Sequence, residues 1–302
     1  MGKRLSRQLK LQGGISGMKN RKLRELMDSP GLIVAPGVGD AIAARLVQKT
    51  GFDVCYMTGN GAVGSMIGKP DIGLATMTEM VQRAHNIVSC LDIPLISDAD
   101  TGYGGINNVK RTVQEFEAAG VSAIHIEDQG LPKKCGAMEG IELLPTEQIM
   151  EKIQVAAKSR KDPDFLIIAR TDSRKILGLE ESLNRAKAFA KAGADIVYVE
   201  MLKSKEEILK LTTSVDTPVL YDMLEMTRDR IYTNQELESL GVKIVIYSLS
   251  TTLYAANKVK HLLEVLKETG TTVSLFDEMM HLHDYEKLMG LEEENNIREL
   301  LG

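Results

Sequence analysis

The chain contains no tryptophan, and aromatic residues are only 4% of its 302 residues. A surface built to stack nucleic-acid bases is therefore not expected. Cysteine is also scarce. Cys55, Cys90 and Cys135 are odd in number and scattered, with no zinc spacing between them, which argues against a disulfide framework or a structural zinc site. No apolar run approaches the roughly 18 to 20 residues of a membrane-spanning helix. Nor is there a basic excess: 37 Lys and Arg face 42 Asp and Glu, for a net charge of −5. General nucleic-acid binding is thus disfavoured. The basic start, Met1 to Lys10, lacks an apolar core and does not read as a secretory signal, so a cytoplasmic address is expected. What remains is ordinary for a globular protein, 43% hydrophobic and 26% charged, and long enough for one large domain or two small ones.

Eight short apolar runs recur along the chain. They are Gly31–Pro36, Asp53–Thr58, Pro94–Asp98, Ala123–Glu127, Phe165–Arg170, Asp195–Glu200, Thr217–Tyr221 and Lys243–Tyr247. Several are apolar without alternation, as strands buried on both faces of a parallel sheet must be. Segments with three- and four-residue apolar spacing lie between them, among them Asp40–Lys49, Val109–Ala119 and Leu179–Ala192. Gly120 and Gly193 stand where a helix C-terminus favours glycine. Asp172, Ser173 and Thr146 are helix-start types in suitable places. Strand then helix, eight times over, predicts an α/β fold of the (β/α)8 barrel type. A doubly wound open sheet is the alternative. The whole chain reads as a single barrel domain, with an N-terminal extension or helix over residues 1–27. A helical tail covers 251–302, in two stretches, Thr251–Lys267 and about Val273–Leu301. Such a tail packs on its own barrel or on a partner subunit more readily than on a membrane.

Barrel chemistry gathers at the C-terminal strand ends, and here those ends are acidic and polar. The third run ends in Asp98 and Asp100, whose side chains can point the same way. Glu127 ends the fourth and Glu200 the sixth. Carboxylates so grouped call for a cation, and Mg2+ suits hard oxygen donors. Arg170 follows a buried run and can fork onto a substrate carboxylate or neutralise Glu127 or Glu200. Residues 130–140 form a Gly-bounded basic loop of lid-like length. Within it, Cys135 beside Lys133 and Lys134 is expected to have a lowered pKa and to serve as an acid or base. Thr58, Gly59, Asn60 and Gly61 offer backbone N–H groups with little bulk, a weak signal for anion binding. Cys55 and Cys90 read as packing residues. His125, between Ile124 and Ile126, reads as structural, facing either inward or towards the helices.

Four ordered blocks carry a resemblance. They are Tyr56 to Gly61 with Gly68 to Asp71; Ser97 to Gly104; His125 to Gln129 with Lys133 to Gly136; and Ala169 to Ser173. Together they resemble the isocitrate lyase/phosphoenolpyruvate mutase superfamily from about residue 25 to 270. The likeness is to its short branch of methylisocitrate lyase, 2,3-dimethylmalate lyase and carboxyvinyl-carboxyphosphonate phosphorylmutase. The resemblance implies a barrel whose last helix is exchanged between subunits, in a homotetramer of paired dimers. It implies Mg2+, with Mn2+ as a substitute, held largely through waters by Asp98, Asp100 and Glu127, with Asp71 supporting. Thr58, Gly59 and Asn60 would hold the 2-oxo-carboxylate end of the ligand and Arg170 a carboxylate. Tyr56 would approach the substrate oxygen, and Glu200 would stand behind it. Lys133, Cys135 and Gly136 would lie on a moving gate, with Cys135 protonating the departing enolate.

Three residues depart from the pattern. Ala137 stands where the lyases usually have His. Asp222 replaces an Asn, and Ser248 replaces the Pro of the alkylmalate lyases, as in the oxaloacetate-hydrolysing branch. Asp222 and Ser248 would adjoin the substrate, and Asp222 is expected to repel a third carboxylate. The expected function is Mg2+-dependent carbon–carbon cleavage of a small 2-hydroxy di- or tricarboxylate. The partner is then a small carboxylate, with neither nucleic acid nor membrane. Oxaloacetate hydrolysis or decarboxylation and phosphonate rearrangement are alternatives; a non-catalytic ligand-binding homologue is a third.

Overall fold

The computed structural model describes residues 2–225 and 230–295, and side chains from residue 14 onward, residue 15 excepted. Its strands are β1 (Ile33–Val38), β2 (Cys55–Met57), β3 (Leu95–Asp98), β4 (Ala123–Glu127), β5 (Leu166–Thr171), β6 (Ile196–Val199), β7 (Val219–Asp222) and β8 (Ile244–Tyr247). They close into one barrel in chain order, and β8 pairs in parallel with β1. Helices intervene between the strands. This is the predicted (β/α)8 barrel rather than an open sheet.

Two apolar layers follow from strand alternation. Ile33, Ala35, Tyr56, Ile96, Ile168, Tyr198, Leu220 and Ile246 fill the barrel interior, while Val38, Met57, Leu95, Ile124, Ile126, Ile167 and Val197 pack outward against the helices. The alternation settles His125. Ile124 and Ile126 face the helices, so His125 points inside, where it packs against the rings of Tyr56 and Tyr198.

The helix Gly2–Asp28 precedes the barrel, and its buried Leu23 joins the interior cluster. The helix Leu179–Ala192 has the expected bounds, and Gly193 closes it with φ 102°. The helix starts also fall at Thr146, Asp172 and Ser173, though without side-chain caps. Pro145, not Thr146, holds the cap position of Thr146–Ser159, and Asp172 makes no capping bond to Ser173–Ile176. Its carboxylate is used elsewhere, as described below.

The tail comprises the helix Ser250–Thr269, a 3-10 turn Val273–Glu278, and helices Leu282–Leu288 and Leu291–Asn295. The end of the expected second stretch, after residue 295, lies outside the described residues. Ser250–Thr269 has no buried residue and exposes Leu253, Tyr254, Val259 and Leu263. No described helix is long and apolar enough to cross a membrane.

Candidate active site

A cavity of about 40 Å3 lies at the C-terminal strand ends. Tyr56, Thr58, Asn60, Asp71, Asp98, Glu127, Arg170, Glu200, Asp222 and Ser248 line it, and Lys133, Cys135 and Gly136 enter from the 130–140 loop. The structure thus brings together most of the residues singled out above. Gly59 and Asp100 stand just behind the wall.

Thr58 caps the helix Gly59–Ile67, its side chain accepting from the Gly61 N–H. The four-residue turn is thus a helix start, with donor groups at its positive end. Gly59 has to be glycine here, since a Cβ would fall 2.3 Å from Asp98 Oδ2. Asp98 and Asp100 do not point the same way, because the chain has left the strand between them. Asp100 adopts φ 48°, the left-handed region that Asp tolerates better than most residues. Its N–H donates to Asp98 Oδ1 at 2.9 Å. Asp98 faces the cavity and His125 Nδ1 at 3.6 Å; Asp100 turns to Lys133.

Lys133 is almost wholly buried. Its ammonium lies 2.6 Å from both Asp71 and Asp100. Burial works against that charge, but Asp100, Glu127, Asp98 and Asp71 outweigh it and lift its pKa well above the ordinary value. Arg170 is equally enclosed. Its Nε is 2.9 Å from Asp172 and 3.6 Å from Glu127, and Nη2 is 3.5 Å from Glu200. The tightest of these partners, Asp172, is one that sequence reasoning assigned to a helix start.

The carboxylates outnumber these two cations. Burial pushes Glu127 well above the usual range, Asp100 to about 6 and Glu200 upward as well. Asp222 rises to about 8, through burial and then the charge of Glu200. Ser248 Oγ donates to Asp222 at 2.9 Å, and the Tyr198 hydroxyl touches both Glu200 and Asp222. The Tyr56 hydroxyl is 2.9 Å from His125 Nε2; burial lowers the His125 pKa to about 4, so the imidazole is neutral near pH 7.

Two observations bear on a divalent metal. Glu127 Oε1 is buried with no hydrogen-bond partner. Among the described residues, no three His, Cys, Asp or Glu side chains converge for direct coordination of one ion. An under-neutralised oxygen cluster that contains an unpartnered carboxylate oxygen fits a hard divalent cation such as Mg2+.

The 130–140 loop is folded down over the cavity. The Cys135 N–H donates to Asp71 O at 3.0 Å, and Lys175 Nζ reaches the carbonyls of Ala137 and Met138 at 3.1 and 3.2 Å. The expectation for the Cys135 thiol is reversed: its pKa is raised, chiefly by burial. The neighbouring lysines give it little help. Lys133 is bound to Asp71 and Asp100, and the Lys134 ammonium turns to the carbonyls of Glu139 and Gly140.

The family model for phosphoenolpyruvate phosphomutase matches residues 23–267. The chain belongs to that family. It is 43% identical over 279 residues to the 2,3-dimethylmalate lyase of Eubacterium barkeri, covering 92% of this chain and 96% of that one. An oxaloacetate acetylhydrolase solved with the inhibitor 3,3-difluorooxalacetate superposes with a TM-score of 0.90 at 32% identity, covering 95% of this chain and 98% of the other. A phosphonopyruvate hydrolase solved with oxalate and Mg2+ gives 0.84 at 29% identity, covering 93% and 98%. By this kinship the family's barrel here is that of a carbon–carbon lyase.

Proposed function

We propose that this enzyme cleaves a small 2-hydroxy dicarboxylate of the alkylmalate type to a 2-oxo acid and a carboxylic acid, with Mg2+. The observation that carries the reading is an acid-lined cavity at the strand ends with the Cys135 thiol of the lid on one wall and Arg170 on another. Asp71, Asp98, Asp100 and Glu127 would hold the metal, mostly through waters. When bound, it would polarise the forming 2-oxo group and ease loss of the hydroxyl proton.

The protein side follows from residue chemistry. Thr58 and Asn60 at the helix start receive the carboxylate of the 2-oxo product. Arg170 pairs with a substrate carboxylate, with Glu200 behind it. The Tyr56 hydroxyl meets the substrate oxygen. The Asp98 carboxylate on the cavity wall takes the substrate hydroxyl proton, and that proton restores the Cys135 thiolate to the thiol after turnover. As the carbon–carbon bond breaks, its electron pair passes to the departing acid, which leaves as an enolate. The Cys135 thiol delivers the proton that this carbon needs, and Lys133 and Gly136 hold the lid down while water is excluded.

Asp222 and Ser248 make the wall that selects substrate. Asp222 keeps its proton up to about pH 8, so it turns away a third carboxylate only above that, where it is ionised. At neutral pH the preference for alkylmalates over tricarboxylates rests on the small volume of the cavity. We also assign a homotetramer, supported by the uncovered apolar face of Ser250–Thr269. A second reading, oxaloacetate hydrolysis, is favoured by two observations: Ser248 lines the cavity, as in the hydrolytic branch, and an oxaloacetate acetylhydrolase is a near structural match.

A proton NMR product survey separates the two. The panel is 2,3-dimethylmalate, other alkylmalates, methylisocitrate and oxaloacetate, with Mg2+ and with EDTA. Metal-dependent pyruvate plus a second acid from an alkylmalate supports the lyase. Oxalate plus acetate from oxaloacetate alone replaces it with the hydrolase.

A further inference from the structure

We propose that Gln129 is a positioning residue that latches the 130–140 lid at Lys134 and ties its closure to the setting of Arg170. Gln129 sits at the root of the lid, almost fully buried. Its backbone is fixed there, since residues 129 and 143 form an antiparallel bridge. On either side, Gly130 N–H donates to Glu142 O and Leu144 N–H to Asp128 O, both at 2.8 Å. The two stems are thereby zipped, and the part left to move is the tip that carries Lys133, Cys135 and Gly136.

The Gln129 carboxamide reaches across to that tip and grips one residue by both backbone groups. Oε1 accepts from the Lys134 N–H at 2.8 Å, and Nε2 donates to the Lys134 carbonyl at 2.8 Å. Reversing the amide would set donor against donor, so its orientation is determined. Lys134 lies between Lys133 and Cys135, so fixing its peptide groups fixes the outlet of both side chains. The remaining N–H of the same amide donates to Asp172 Oδ2 at 2.5 Å. Asp172 Oδ1 accepts from Arg170 Nε at 2.9 Å, and the Asp172 N–H donates to Asp128 Oδ1 at 2.9 Å.

A continuous chain therefore runs from Arg170 through Asp172 and Gln129 to the lid backbone. Only a group with two donors and an acceptor on a planar head completes it. A guanidinium drawn towards a substrate carboxylate shifts Asp172, and the pull on Gln129 is transmitted to Lys134. The lid then answers to the occupant of the chamber through named bonds and not through packing alone.

The test uses Gln129→Met, which keeps the volume without the hydrogen bonds, and Gln129→Glu, which keeps Oε1 and loses both donors. Hydrogen–deuterium exchange of the free, full-length protein is the first readout. In both variants, exchange of residues 133–137 should rise at least tenfold while the strands keep their protection. Unchanged lid exchange in Gln129→Met overturns the latch. Should either variant fold poorly, the unmodified protein still decides. The Lys134 amide must then exchange more slowly than those of Gly136 and Ala137, and the reverse order overturns the proposal. The second readout rests on the lyase reading: with an alkylmalate and Mg2+, kcat should fall at least tenfold with KM changed less than threefold. A fall in KM-normalised rate without a fall in kcat would overturn the positioning role. Absence of any wild-type turnover would count against the lyase reading alone, because the exchange result stands without it.

Discussion

The backbone of Gly136 lies against the Arg170 guanidinium so closely that a Cβ added there would fall 2.3 Å from Nη2. The same atom would lie 2.9 Å from Glu200 Cγ and 3.0 Å from Asp172 Oδ1. Arg170 cannot yield easily, since Asp172, Glu127 and Glu200 hold it. Gly136→Ala should therefore keep the lid from closing fully. The expected loss in kcat is about 10²-fold, the cost of a misplacement near 1 Å. Steady-state kinetics beside a thermal melt would check this: the melt should barely move.

A thiol whose pKa is raised by burial is a proton donor and a poor nucleophile. Cys135→Ser should lower alkylmalate turnover by roughly 10²-fold or more, the usual worth of a positioned general acid. KM should stay near its original value. In the wild type, iodoacetamide should modify Cys135 slowly at neutral pH. Full turnover by the serine variant, or rapid alkylation at pH 7, would remove Cys135 from the acid role.

Asp222 gives a pH dependence with a definite sign. The folded chain keeps its proton up to about pH 8, whereas the ordinary carboxyl value is 3.8. Between those limits folding is accompanied by proton uptake, so this group costs stability progressively as pH rises from about 4 to 8, then no further. Asp222→Asn cannot ionise. Its Tm should exceed that of the wild type by at least about 2 °C at pH 8, with the gap closing towards pH 5. Equal pH slopes in the two proteins would sink the assignment. The same variant should accept methylisocitrate better than the wild type only above about pH 8, where the wild-type carboxyl is ionised, and no better near pH 6.

Removal of divalent metal should abolish turnover and leave the barrel folded. Mg2+ should restore activity, with Mn2+ as a substitute. Circular dichroism and product NMR on the EDTA-treated enzyme, before and after Mg2+, measure both halves. Activity that persists without metal would detach Asp71, Asp98, Asp100 and Glu127 from the role given them.

The barrel was legible because its strands are buried on both faces and write themselves as unbroken apolar runs. Ala123–Glu127 is recovered to the residue. The acidic strand ends were legible for a related reason: polar residues directly after such runs have few places to be except the mouth. The side-chain partnerships were not. Asp172 reads as a cap because it precedes Ser173, yet its carboxylate serves Arg170 and Gln129. Adjacent Lys133 and Lys134 suggest a lowered thiol pKa, but the chain turns one inward to carboxylates and the other outward to carbonyls. Nor does the spacing of Asp98 and Asp100 reveal that Asp100 is itself left-handed and so turns away from Asp98. Distance along the chain constrains backbone; it says little about which charged groups finally meet.

The cavity volume has a further consequence. At about 40 Å3 the space beneath the lid holds no more than a few waters, far below the roughly 300 Å3 and upward of pockets that bury small ligands. A substrate-sized molecule therefore fits only once the lid has moved. The lid's own opening rate then sets the upper limit on the binding rate, common to strong and weak ligands alike. Inhibitors should differ in residence time, approach equilibrium slowly, and be hard to rank by any assay short enough to end before the lid has moved.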